Sequence, residues 1–228
     1  MDSTIRYLRR FARRGLPAVA LVLAVAFASA CGKTPSGAAA GDSARLPGDA
    51  EIAGSAAGKI RIAAAEPLYG EVAQAVGGER AEVKSLISGA EADPHDYDPT
   101  PEAAKAVESA QLVIYNGLGY DDWMKKLLNA SRDNRKKVIV VGTDVAGKKS
   151  GDNEHVWYDP GTMPKLAEAV AARLSELDPP HADEYRQNAR RYIDSLAPLN
   201  ELIARLKQPA PAPVAVSEPV FDYLLQAL

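Results

Sequence analysis

Three side chains in this sequence have the types and settings to share one chemistry: His95, His155 and Glu218. The chain holds only three histidines among 228 residues, so each imidazole can be judged by its surroundings. His95 lies in DPHDYDPTPE, residues 93–102, where Pro94, Pro99 and Pro101 fix φ and restrict the residue before each ring. That loop is stiff before any tertiary contact forms. Thr100-Pro101-Glu102 then has the form of a helix start, a hydroxyl cap followed by proline at the first helical position. His155 opens HVWYDP, where Asp159 and Pro160 repeat the same grammar. Glu218 stands in Ser217-Glu218-Pro219, again ahead of a proline that opens a helix. A lone histidine in a loop is ordinarily an unremarkable surface residue. Three loops with one grammar are a different matter, because two imidazoles and a carboxylate form a set that binds a divalent transition metal. The spacing of about sixty residues is far from that of a zinc finger, so only the tertiary fold could assemble the site. His181, in a Pro-Pro-His turn, lacks this context and reads as a surface residue.

The elements that must position these residues alternate in type. KIRIAAA at 59–65 is a short buried-strand pattern, and 68–76 is a helix ended by Gly77-Gly78. Residues 81–87 alternate as a second strand, leading into the His95 loop. A helix over 101–109, a strand over 112–115 stopped by Asn116-Gly117, a helix over 121–130 and the apolar strand KVIVV at 137–141 follow. Strands alternating with helices of about ten residues imply βαβ units and a mostly parallel sheet. The expected class is therefore α/β, a parallel sheet with helices on both faces, and ligands of such sheets sit beyond the carboxyl ends of the strands. After a polar loop at 143–154, a helix is expected over 160–177, broken by Pro179-Pro180. A further helical stripe runs over 182–207, kinked at Pro198. Residues 208–213 read as a linker, 214–216 as a short strand, and Pro219 opens a last helix.

The first 30 residues do not belong to this fold. Arg6, Arg9, Arg10, Arg13 and Arg14 precede an apolar run at 16–28 that is too short to span a bilayer. Small residues follow and then Cys31, the only cysteine. This is a secretory signal peptide. Its end resembles a lipobox, which implies cleavage before Cys31 and diacylglycerol on its sulfur, although Ala28 stands where such patterns usually carry leucine. Residues 31–58, rich in Gly, Ala, Ser and Pro, read as the lipidated cysteine and a flexible tether. Removing residues 1–30 takes five arginines and Asp2 from a chain of formal charge −3, so the mature chain is more acidic still. No basic patch suits nucleic acid, and mild acidity suits a cationic ligand.

From residue 59 onward the sequence resembles the zinc and manganese solute-binding proteins of bacterial ABC transporters, two lobes joined by one long helix. DPHDYDPTPE at 93, LVIYNGLGYDDW at 112 and EHVWYDP at 154 carry the resemblance. So do the run through Tyr185, Asn188 and Tyr192, and VSEPVFDYLLQAL at 216. The resemblance implies a metal-binding lobe over 59–180, a linker helix over 181–207 and the start of a second α/β lobe over 208–228. It implies His95 and His155 as metal ligands and Glu218 at the third position, with no residue at the fourth. It also implies an exported lipoprotein, facing periplasm or cell exterior, that hands Zn²⁺ or Mn²⁺ to an ABC permease as a monomer.

Two departures accompany the resemblance. The segment 143–154 lacks the histidines of a metal-collecting loop, and the second lobe stops early, as in a truncated product. Two other classes remain open at the level of sequence. His₂Glu with an open position is also a hydrolytic zinc arrangement, although there is no His-Glu-x-x-His helix. A tethered surface lipoprotein could equally act as an adhesin. Glu218 adds a hard oxygen that pulls toward Mn²⁺, while two imidazoles suit Zn²⁺.

Overall fold

The computed structural model describes residues 58–88, 93–207 and 213–228. The signal peptide, Cys31 and nearly all of the expected tether lie outside the described residues. Among the described residues no helix is long and apolar enough to cross a membrane.

Four strands, β1 (Ile60–Ala64), β2 (Ala81–Ser85), β3 (Leu112–Tyr115) and β4 (Lys137–Val140), form one sheet in the order β2-β1-β3-β4. Every pairing is parallel, with Ile62 facing Val83 on one side and Leu112 on the other, and Val113 facing Val138. Strand alternation divides the core. Ile60, Ile62, Ala64, Leu112, Ile114 and Ile139 point to one face, and Ala63, Ala65, Val113 and Tyr115 to the other. Helices α1 (Pro67–Gly77), α4 (Thr162–Leu177) and α5 (Ala182–Ser195) cover the first face; Tyr69, Val76, Leu166, Leu174 and Tyr185 belong to its core. Helices α2 (Pro101–Ser109) and α3 (Asp122–Ala130) cover the second, through Ala103, Val107, Trp123 and Met124. Both faces are buried, so the strands read as near-continuous apolar runs. The chain moves outward from β1 to β2 and then crosses back to β3, so the sheet's switch point lies between β1 and β3.

The cap of α2 is as the sequence implies: the Ala103 N–H donates to Thr100 Oγ1 at 3.2 Å, with Pro101 at the first helical position. Four expectations are corrected. First, α4 begins at Thr162, not at Pro160. The Asp159 carboxylate turns to the Gly161 N–H (2.9 Å) and its carbonyl accepts from Thr162 (2.9 Å), so Asp-Pro builds a turn ahead of the helix. Second, β4 stops at Val140, because Val141–Val145 winds into one wide turn closed by Ala146 N–H to Val141 O. Third, the helix expected over 182–207 is divided at Leu196 into α5 and α6 (Ala197–Leu206). Pro198 lacks the N–H that would bond the Asp194 carbonyl. Fourth, residues 214–216 form no strand. Their β-type residues pair with none of the described strands, and a strand without a neighbour has no hydrogen-bonding partner. After them comes a tight turn at Pro219–Phe221 and the short helix α7 (Asp222–Ala227).

Candidate metal centre

All the chemistry-bearing loops leave the carboxyl ends of the strands. Glu66 follows β1, His95 follows β2, Asn116 to Asp121 follows β3, and His155 follows β4 and its wide turn.

The His95 loop is held by its own turn and by α3. The His95 N–H donates to Asp93 Oδ1 (2.9 Å), and the Asp96 N–H to the Asp93 carbonyl (3.2 Å). Trp123 Nε1 donates to the Pro94 carbonyl (2.9 Å), and the Tyr97 hydroxyl to the Leu86 carbonyl (3.2 Å), with the Tyr97 and Trp123 rings 4.6 Å apart. The His95 side chain itself is half exposed and meets the edge of Tyr120, with ring centroids 4.9 Å apart.

Tyr120 rides on a tightly wound turn that explains the NGLGYD motif. Gly117 and Gly119 have φ of 76° and 95°, and Leu118 also lies in the left-handed region at 59°. The turn closes on Asp121, whose two carboxylate oxygens accept the N–H groups of Asn116 and Gly117, each at 2.7 Å. Asn116, fully buried, accepts the Tyr69 hydroxyl at its Oδ1 and donates from Nδ2 to the Glu154 carbonyl at 3.0 Å. One side chain thereby fastens α1, the end of β3 and the loop that carries His155.

His155, only 14% exposed, is fixed from both ends. Asn153 Oδ1 accepts its backbone N–H (2.9 Å) and lies 2.8 Å from its Nδ1. The ring lies 5.1 Å from Trp157 and 6.0 Å from Tyr120, centroid to centroid. A carboxylate that the sequence did not single out, Glu154, completes the group. Its Oε1 is 3.8 Å from His95 Nε2 and 3.9 Å from His155 Nδ1. Its only signal in sequence was its place next to His155.

The field here is negative. Burial first, and then the charges of Asp93, Asp121 and Glu154, push the Tyr120 hydroxyl up to about 12, so it stays neutral. Glu66 is buried at 3% exposure, and its carboxyl faces that of Asp121 with no N–H or hydroxyl donor on either oxygen. Burial and the neighbouring Asp121 hold it well above the usual carboxylate range, so the proton of this pair resides on Glu66 while Asp121 keeps its two backbone donors.

The structure therefore brings His95 and His155 to one edge, either side of Tyr120, with Glu154 between. Glu218 is exposed at the start of the turn before α7. Among the described residues no three His, Cys, Asp or Glu side chains lie close enough to hold a metal ion together. His181 pairs instead with Asp178 at 2.8 Å at the start of α5, and Cys31 lies outside the described residues.

Comparison with known proteins agrees with this architecture. The chain is 31% identical over 177 residues to the iron-binding protein YfeA of Yersinia pestis, covering 73% of this chain and 56% of that one. It is 27% identical over 184 residues to the manganese ABC transporter substrate-binding lipoprotein PsaA of Streptococcus pneumoniae serotype 4, covering 74% and 59%. Zn(II)-bound AdcA from Streptococcus pneumoniae matches with a TM-score of 0.63 at 28% identity, covering 73% of this chain and 37% of that one. The Mn-bound periplasmic metal binding protein of Candidatus Liberibacter asiaticus matches with a TM-score of 0.65 at 24% identity, covering 73% and 65%, which shows a common fold. The chain spans about half the length of the curated relatives it matches. With residues 62–228 matching the zinc-uptake complex component A, periplasmic (ZnuA), the chain belongs to that family.

Proposed function

We propose that this protein captures a divalent transition metal, Zn²⁺ or Mn²⁺, at the carboxyl edge of its sheet and passes it to the permease of an ABC transporter. The observation that carries this reading is the pairing of His95 and His155 on either side of Tyr120, on loops fixed by the fold. His155 uses Nδ1 toward Asn153, which leaves Nε2 as the coordinating nitrogen. His95 Nε2 lies 3.8 Å from Glu154 Oε1, on the His155 loop, and the surrounding carboxylates favour a cation there. Glu218 is the ligand we assign to the segment beyond α6. Cys31 is the proposed lipid attachment site of an exported protein, tethered at the membrane and working as a monomer. Relatives carry names of the same kind: a manganese-binding lipoprotein, a metal ABC transporter substrate-binding lipoprotein and an iron-binding protein. The similar structure of AdcA is Zn(II)-bound, and relatives such as PsaA are named for manganese, which supports assigning the cargo to this pair of ions.

A capture protein binds one metal and turns nothing over. Calorimetric titration of Zn²⁺ and Mn²⁺ into the wild type, His95→Ala, His155→Ala and Glu218→Ala tests the site. One ion per chain is expected, with each histidine variant losing at least tenfold in affinity and Glu218→Ala losing less. Unchanged affinity in both histidine variants would falsify the site. Zinc-dependent hydrolysis of peptide or phosphate esters by the same sample would favour the hydrolase class instead. The intact mass of the mature protein, with diacylglycerol on residue 31, tests the anchor; a free thiol there or a retained Met1 removes it.

A further inference from the structure

Asn153 makes contacts in two directions. Toward the metal centre, its Oδ1 receives the backbone N–H of His155 at 2.9 Å and faces His155 Nδ1 at 2.8 Å. Away from it, its Nδ2 donates to the carbonyl of Pro219, the residue after Glu218. The amide orientation follows from the partners alone. A backbone N–H can only donate and a carbonyl can only accept, so the oxygen must face His155 and the NH₂ must face Pro219. An oxygen facing Nδ1 in turn requires the proton to be on Nδ1, which fixes the ring with its lone pair on Nε2. The carbonyl of Asn153 is used as well, accepting the Tyr223 hydroxyl at 2.8 Å. Further contacts join the same two segments: Lys148 Nζ lies 4.1 Å from the centre of the Tyr223 ring, and Tyr158 meets Phe221 with centroids 4.6 Å apart. The segment that carries Glu218 is thus docked on the loop that carries His155, and the Asn153 side chain touches both the imidazole and the docked backbone.

We propose that Asn153 is a positioning residue that couples the two halves of the site: it sets the coordinating tautomer of His155 and clamps the Pro219 carbonyl beside Glu218. Metal binding at His155 and docking of residues 219–226 then support one another, and the linkage runs both ways. This rests on the metal reading above, but its first signature is a property of the metal-free protein.

Two variants separate the two contacts. Asn153→Asp keeps oxygen acceptors for His155 and loses the donor to Pro219. Asn153→Ala loses both. Long-range ¹H–¹⁵N spectra in mildly alkaline buffer report which ring nitrogen carries the proton, and with three histidines in the chain His155→Ala suffices to assign the signals. Hydrogen exchange of the 219–226 amides reports the clamp. The metal-free wild type should carry its His155 proton on Nδ1, with 219–226 protected. Asn153→Asp should keep the tautomer while 219–226 exchange at least several-fold faster. Asn153→Ala should lose both and bind Zn²⁺ about 10–100-fold more weakly, as expected when an outer partner of a ligating histidine is removed. Added Zn²⁺ should slow exchange of 219–226 in the wild type and slow it less in Asn153→Asp. An unchanged tautomer in Asn153→Ala, or unchanged exchange in both variants, overturns the positioning role. Zn²⁺ that binds the wild type without altering exchange of 219–226 overturns the coupling. Should His155→Ala retain full Zn²⁺ affinity, the metal reading fails, and the tautomer and exchange results still decide what Asn153 does.

Discussion

Trp123 reaches from α3 to the His95 loop, its indole Nε1 donating to the Pro94 carbonyl at 2.9 Å. The ring is 5% exposed and the bond is partly buried, and it holds the residue next to His95 in register with the sheet. Trp123→Phe keeps an aromatic ring against Tyr97 and removes only the donor. We expect a loss of about 1 kcal/mol in stability, the net worth of one hydrogen bond, and a several-fold loss in Zn²⁺ affinity as His95 loosens. Urea unfolding and Zn²⁺ titration measure both. A variant equal to the wild type in both shows that the prolines alone hold the loop.

Asn116 is the hub behind the centre. Asn116→Ala strands the buried Tyr69 hydroxyl and the Glu154 carbonyl together. Leaving a buried polar group unpaired costs about 1–3 kcal/mol, so we expect a loss of roughly 2–4 kcal/mol. Asn116→Asp keeps an acceptor for Tyr69 but loses the donor to Glu154, and should disturb metal affinity more than its stability alone suggests. Denaturant midpoints and affinities for the two variants, taken together, check this. If the two variants lose affinity only in proportion to stability, Asn116 merely holds the core.

The strands and the two histidine loops were legible in sequence because each is a local pattern. Runs such as LVIY at β3 have nowhere to go but a buried sheet, and Thr100-Pro101 caps a helix whatever surrounds it. What was not legible depends on which strands become neighbours. Glu66 and Asn116 meet their surroundings only because β1 and β3 lie side by side, with α1 laid across them. Asp159-Pro160 matched a helix start, yet the aspartate found a nearer donor in Gly161 and made a turn. Val214 and Val216 have strand propensity, but propensity does not supply a partner.

Gly117 tests the turn that carries Tyr120. Its φ is 76°, and a Cβ there would come within 2.5 Å of Val140 Cγ1. Gly117→Ala must therefore bear a left-handed conformation, about 1–2 kcal/mol, as well as a clash with β4. We expect a loss of at least 2 kcal/mol in thermal or urea unfolding. Adding Val140→Ala should relieve the clash but not the backbone strain, so rescue should be partial. Full rescue would mean that sterics alone explain the glycine, and no rescue that the backbone conformation does.

Glu66 offers a pH signature. Its carboxyl sits in the interior facing Asp121, near Tyr69 and Tyr120, and burial first, then Asp121, hold it well above the usual carboxylate range. In the unfolded chain a glutamate ionises near 4.3. Between that pH and its raised value in the folded state, the folded protein holds a proton that the unfolded chain has released. Stability then falls as pH rises through this window, and is fully present below it. Glu66→Gln has nearly the same shape and cannot ionise, so it lacks this slope. At pH 4 the variant and the wild type should agree within about 1 kcal/mol, since both side chains are neutral there. Toward pH 8 the variant should become the more stable, by about 1.4 kcal/mol for each pH unit of that window that has been crossed. Urea unfolding across that range gives the difference directly, and other titrating groups cancel to first order because both proteins share them. A difference that stays constant with pH, or that favours the wild type increasingly as pH rises, would show that Glu66 is ionised in the folded protein and that the proton of the pair lies elsewhere.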